Sequence, residues 1–330
     1  MKRRHFIQNG SQAGLALSLL GLAGCKEDKK KDSQKTEEPM AEQSTPPFFK
    51  LSLAQWSIHK MIREKGVNPY TFAEKAKKWG FSGIEYVNQL YNKELEAAKY
   101  SDTAMAKFVE KCNAEAKKHG VDNVLIMIDG EGNMAVPDAA ERKKTVENHY
   151  KWVEAAAAMG CHAIRVNLYG EDDPVIWKKA SVDSLTQLST YAKDRNINVI
   201  VENHGGLSSN GIMVADVMRT VGMDNCGTLP DFGNFCITRK KDSRECQEMY
   251  DIYKGVTELM PHAKAVSAKA HEFDAQGNET HIDYVKMLQI VKDAGYAGYI
   301  GVEYEGSGLS EEEGILATKR LMLKAAKAMR

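Results

Sequence analysis

"VIVENHGG", residues 199–206, runs three aliphatic residues straight into a carboxylate, an amide, an imidazole and two glycines. A buried strand that ends on consecutive polar side chains is the pattern of a strand whose carboxyl end opens onto a site. Similar runs rich in Val, Ile and Leu recur on both sides of it: "LSLAQWS" (51–57), "FSGIEYV" (81–87), "NVLIMID" (123–129), "HAIRVNL" (162–168), "CGTLPDF" (226–232), "AKAVSAKAH" (263–271) and "GYIGVEY" (298–304). Between them lie segments with helical spacing, such as "PYTFAEKAKKWG" and "DYVKMLQIVKDAGY", the latter apolar at Val285, Leu288 and Val291. Gly80, Gly120, Gly160 and Gly295 stand just before strands, where the left-handed end of a helix favours glycine. With "INVIVEN" (197–203), eight strands alternate with helices, which predicts an α/β fold of the (β/α)8 TIM-barrel type. The competing open, doubly wound sheet needs a glycine-rich loop after its first strand, and "QWSIHK" has no glycine.

The barrel is expected to occupy residues 48–330. Ahead of it, "MKRRHFIQNG" places Arg3 and Arg4 before Phe6 and Ile7, and a mildly apolar stretch from Ala13 to Ala23 ends in "LAGC". That stretch is too short to span a bilayer and reads as a processing segment. The arginine pair resembles a twin-arginine export signal and Leu22-Ala23-Gly24-Cys25 resembles a bacterial lipobox. The resemblance implies a signal peptide over 1–24, cleavage before Cys25, and a periplasmic-side protein attached to the membrane only by lipid on Cys25. Residues 25–47 have almost no large apolar side chain and many charges of both signs, so they cannot offset their ordering entropy and read as a flexible tether.

Lys plus Arg and Asp plus Glu each number 45, so no global field favours nucleic acid. Beyond Cys25 the cysteines are Cys112, Cys161, Cys226, Cys236 and Cys246, an odd number without a CxxC pair. They fit neither a disulfide framework nor a zinc ribbon and are expected to be mostly small core residues.

In a barrel the polar residues at the carboxyl ends of the strands build the site. Here they are Glu202, Asn203 and His204 on strand five, Asp231 on strand six, Lys269 and His271 on strand seven, and Glu303, Tyr304 and Glu305 on strand eight. Equal parity puts Glu202 with His204, and Lys269 with His271, on one face. Three converging carboxylates repel unless a cation sits among them, and oxygen ligands with one imidazole suit Mn²⁺, Mg²⁺ or a similar divalent metal. Trp56 and Tyr304 suit sugar faces, while His204, Glu85 and Asn167 are placed to bond hydroxyls. Plainer roles are pairing of Glu202 with Arg165 and of Lys269 with the glutamates.

"VENHGG", "LPDFGNF", "VSAKAHEFD" and "GYAGYIGVEYEG" resemble the xylose isomerase-like barrel superfamily of sugar epimerases and isomerases, inosose dehydratases and the AP endonuclease of the same fold. The resemblance extends from Leu51 to Met329. It implies one divalent ion, Mn²⁺ first, with Mg²⁺, Co²⁺ or Zn²⁺ as alternatives, held by Glu202, Asp231, Glu303 and a strand-seven histidine. Relatives place that histidine in a His-x-Lys-Asp run. Aligned on Lys269, the position is Ser267, so His271 is expected to replace it; Asn234 likewise stands where relatives often carry histidine. The implied chemistry is proton abstraction beside a carbonyl through a metal-stabilised enediolate, with Glu202, Glu303 and Lys269 as catalytic groups. A sugar isomerase or epimerase is the expected function. β-Elimination of a 3-keto-glycoside and silent sugar binding by a lipoprotein are the alternatives. With no phosphate loop or basic cluster, the expected partner is a free sugar, keto-sugar or glycoside.

Overall fold

The computed structural model describes residues 46–243 and 245–329. The expected signal peptide, and all of the expected tether except Pro46 and Pro47, lie outside them.

Each of the eight aliphatic runs holds a parallel strand: β1 (Lys50–Ala54), β2 (Gly83–Val87), β3 (Asp122–Met127), β4 (Ala163–Val166), β5 (Asn198–Glu202), β6 (Cys226–Leu229), then β9 (Val266–Ala270) and β10 (Tyr299–Tyr304). The intervening β7 (Cys236–Arg239) and β8 (Cys246–Met249) form a separate antiparallel pair. Hydrogen bonding runs in the order β6-β5-β4-β3-β2-β1-β10-β9. Parallel bridges Thr228–Ala263 and Asp231–Ser267 carry β6 back toward β9. The strands are apolar on both faces because one face fills the barrel and the other meets helices: Ile84, Ile126, Ile164, Ile200, Val266 and Ile300 are all buried.

A helix follows each barrel strand: α1 (Phe72–Lys78), α2 (Asp102–His119), α3 (Ala139–Met159), α4 (Pro174–Lys193), α5 (Gly211–Val221), α6 (Ile252–Leu259), α7 (Tyr284–Asp293) and α8 (Glu311–Ala328). Their apolar stripes explain the packing. On α2, Met105, Phe108, Cys112 and Ala116 recur at helical spacing and are the buried residues. Side chains of Ser101, Asp138, Asp173, Asn210, Asp251, Asp283 and Ser310 accept from first-turn N–H groups, each cap contributing about 1 kcal/mol. Gly120 and Gly160 end α2 and α3 in the left-handed conformation, as their positions predict.

The cysteine expectation needs correction. Cys112, Cys161 and Cys226 are buried free thiols, but Cys236 and Cys246 form a disulfide. The antiparallel turn between β7 and β8 brings their Cα atoms to 5.7 Å, within bridging range, although they are 10 residues apart in sequence.

Candidate active site

Glu202 closes β5, Asp231 follows β6 and Glu303 lies near the end of β10, and one carboxylate oxygen from each falls within 4.8 Å of the others. Asn203, the amide of the opening stretch, fixes two of these elements together. Its Nδ2 donates to the Asp231 carbonyl at 3.0 Å and its Oδ1 accepts from the Asp231 N–H at 2.8 Å. Gly205 and Gly206 then turn the chain with φ of +95° and +62°, which is why glycine stands there.

The β9–β10 register pairs Lys269 with Glu303. The Lys269 ammonium, 1 % exposed, lies 2.6 Å from Glu303 Oε2 and 3.6 Å from Asp231 Oδ2, and also bonds Glu305. Ser267 Oγ donates to Asp231 Oδ2 at 2.6 Å and lies 3.2 Å from Glu303 Oε2. Asp231 Oδ1 accepts from the Gly233 and Asn234 N–H groups at 2.9 and 2.8 Å. On the opposite side Arg165 of β4 pairs with Asp129 at 2.7 Å and places Nε 2.8 Å from Glu202 Oε2. That N–H is not aimed at the oxygen, so Glu202 Oε2 is buried without a hydrogen-bond donor.

Burial raises the Glu202 carboxyl to about 7; Arg165 opposes the rise and Glu303 adds to it. Burial also raises Asp231 and Glu303 against the pull of Lys269. Lys269 is desolvated, yet Asp231, Glu303 and Glu305 outweigh that cost and hold its ammonium well above the usual lysine range. Glu305 is also desolvated, but Lys269 brings it down to about 2. Five acids, counting Asp129, thus face two cations, and three of the acids resist ionisation. A divalent cation fits this donor set: it answers the unmet negative charge and the orphaned Glu202 oxygen.

A cavity of about 620 Å³ opens beside these acids, lined by Trp56, Asn167, His204 and Glu303 among the expected residues. Asn167 Nδ2 donates to Asp129 at 2.6 Å, leaving its buried Oδ1 without a partner. Three expected residues lie elsewhere. Glu85 sits inside the barrel with its carboxylate 2.6 Å from Ser52 Oγ, in space left by Gly301, where a Cβ would come within 2.7 Å of it. Tyr304 has the opposite strand parity to Glu303; its ring packs against Gly314 of α8 and its hydroxyl accepts from the Leu309 N–H at 3.1 Å. His271 is outside the acidic group and lines a neighbouring compartment; Ser267 is the β9 side chain that meets the acids at that level. Lys269 is enclosed by carboxylates and, like Glu202 and Asp231, lies behind the cavity wall, on which Glu303 is the one of the three converging acids that shows.

Sequence reasoning did not single out Asp129, Tyr169 or His149. Tyr169 bonds His204 through Nδ1 and through the carbonyl at 3.0 Å. His149 comes from α3, and burial lowers its pKa. Its Nδ1 faces the Thr145 carbonyl at 2.7 Å, so the ring proton sits there and Nε2 is the acceptor. The β-strand parity of 165, 167 and 169 is a signal that could have found Tyr169; nothing local marks a helix histidine as a cavity residue.

Fold and site together define an α/β barrel with an acidic centre able to hold a metal at the carboxyl ends of its strands. Residues 73–326 match the family model described as xylose isomerase-like TIM barrel, and the chain belongs to that family. Solved structures agree on the fold. They include the IolI protein with a bound zinc atom (TM-score 0.63, 15 % identity, covering 86 % of this chain and 99 % of that one). A xylose isomerase-like TIM-barrel protein from Mycobacterium smegmatis in complex with magnesium gives 0.60 at 14 % identity, covering 86 % and 98 %. A D-tagatose 3-epimerase-like protein gives 0.62 at 15 % identity, covering 85 % and 98 %. At such identities the likeness speaks for the fold alone. No curated protein matches the sequence.

Proposed function

We propose that the protein is a divalent-metal-dependent sugar isomerase or epimerase acting on a free sugar or keto-sugar. The observation that carries this reading is the convergence of Glu202, Asp231 and Glu303 beside a cavity walled by hydrogen-bonding side chains. Among the described residues Arg165 is the one Arg or Lys on that wall, and it is engaged by Asp129 and Glu202, which favours a neutral polyol over a phosphorylated one. The sugar epimerases among the structural neighbours add support.

Glu202, Asp231 and Glu303 would hold the metal, Mn²⁺ in this proposal. Bound there, it would supply Lewis-acid polarisation of a substrate carbonyl. Glu202, whose Oε2 lacks a donor, is the base for the proton on the adjacent carbon, and Glu303 returns a proton from its own side of the barrel. Lys269 and Ser267 keep the Glu303 carboxylate in place. Asn167 Oδ1, His149 Nε2 and Trp56 orient the hydroxyls and a ring face. Arg3-Arg4 and Leu22–Cys25 support placing this chemistry outside the cytoplasm on a Cys25 lipid anchor; incorporation of labelled palmitate, lost in Cys25→Ala, is the expected result.

The test is incubation of Mn²⁺-loaded protein with fructose, psicose, tagatose and sorbose in D₂O, followed by NMR. Deuterium at one carbon beside the carbonyl is expected, falling about 10²–10⁴-fold in Glu202→Gln and Glu303→Gln with unchanged circular dichroism. Full exchange in both variants overturns the assignment.

A further inference from the structure

The cavity beside the acids has a neighbour. A second compartment of about 640 Å³ is lined by Gly205, Gly206, Gly233, Ile237, Met249 and His271, among others. Both compartments also share Tyr169, His204 and Glu305, so these three side chains stand at the junction between them. Either space by itself falls within the range of about 300–1,000 Å³ that encloses a whole small ligand. Glu303 lines the first compartment, so the reacting unit belongs there.

The second compartment is a built feature. Its outer wall is the β7–β8 hairpin, which the barrel itself does not require and which the Cys236–Cys246 disulfide closes. The base of the hairpin is tied down: the Tyr250 N–H donates to the Phe235 carbonyl at 2.9 Å and Ser209 Oγ to the Asn234 carbonyl at 2.8 Å. The wall offers Ile237 and the 58 % exposed Met249 as apolar surface, while His271, Asn234, Arg239 and Glu305 supply polar atoms. Apolar surface beside hydrogen-bonding groups matches a sugar ring, with its C–H face and hydroxyl edge.

We infer that the substrate is a saccharide of at least two units, its carbonyl-bearing sugar reacting beside Glu303 and the other unit held against the β7–β8 hairpin, with the glycosidic link passing Tyr169, His204 and Glu305. The inference rests on the sugar-transforming reading above and adds the size class of its substrate.

Binding isolates it from the chemistry. The full chain, loaded with Mn²⁺, is titrated calorimetrically with glucose, galactose and fructose and with cellobiose, maltose, lactose and lactulose. At least one disaccharide is expected to bind about tenfold or more tightly than its component monosaccharides. Met249→Trp, an exposed change that fills the compartment, and Ile237→Trp should each erase that preference and leave monosaccharide affinity unchanged. Equal affinities for single and double sugars, no disaccharide binding at millimolar concentration, or a preference that survives both variants overturns the inference. A disaccharide preference lost in both variants, together with no deuterium exchange into the preferred disaccharide or into the four ketoses, upholds the second compartment and overturns the isomerase reading.

Discussion

Glu85 and Lys269 are buried ionisable residues whose positions make opposite demands. Burial pushes the Glu85 carboxyl up to about 8; the Ser52 hydrogen bond resists this and Glu303 and Glu202 add to it. The folded state therefore keeps a proton that the unfolded chain releases near the ordinary glutamate value of 4.5. The resulting stabilisation is complete below that pH, declines as pH rises and is gone above about 8. In Glu85→Gln, urea titrations of metal-free protein should lose this part of the slope, a difference on the order of 5 kcal/mol across the window. A variant with the wild-type slope would contradict a protonated Glu85. Lys269 answers the reverse need, because Asp231, Glu303 and Glu305 are all within its reach. Lys269→Met should destabilise metal-free protein by about 3–5 kcal/mol through the buried charge left unpaired, with partial recovery on adding Mn²⁺. A loss below about 1 kcal/mol would mean that the ammonium does not compensate those acids.

At the scale of elements, the barrel strands were legible because each is apolar on both faces and bounded by a helix-ending glycine or a polar rim. The β7–β8 hairpin was not. "CITR" and "CQEM" are short and half polar because one side faces solvent, and the charged run between them reads as a plain loop. Its disulfide was hidden for a related reason: five cysteines without a paired motif give no connectivity, and only the turn brings Cys236 beside Cys246. Closing so short a loop constrains the unfolded chain by about 3 kcal/mol at most, so reduction should lower the unfolding midpoint by no more than roughly 10 °C. A second effect is local. Lys240 and Lys241 are exposed at the hairpin tip. Trypsin should cut there more quickly in Cys246→Ser than in the oxidised wild type, whose nicked halves should separate on a gel only after reduction. Equal cutting rates would show that the hairpin is held by its other contacts.

Across the whole molecule, barrel topology placed Glu202, Asp231 and Glu303 together before any coordinates, since the carboxyl rim collects what each strand carries at its end. Parity excludes Tyr304, one residue from Glu303, and the same alternation continued past the end of β4 leads from Arg165 to Asn167 and Tyr169. Pairing of Lys269 with the glutamates was among the expectations; what a pattern of one sequence does not give is that Asp231 and Glu305 join Glu303 around it and that His271 lies in the next compartment. The charge balance of the assembled barrel then determines how stability responds to metal. Because the acids converge only in the folded state, an ion bound there stabilises by mass action, by about 2.7 kcal/mol at a hundredfold excess over its dissociation constant. For a domain of this size that corresponds to a rise of roughly 5–10 °C in Tm. Metal-stripped wild type titrated with Mn²⁺, Mg²⁺ and Zn²⁺ should show this saturable rise with one ion per chain by mass spectrometry. In Glu202→Gln and Asp231→Asn the midpoint should stay flat and the ion should be lost. If Tm rises equally in the variants, the ion binds elsewhere; if no cation shifts the wild type, Lys269 and Arg165 neutralise the centre and the Lewis-acid step is withdrawn.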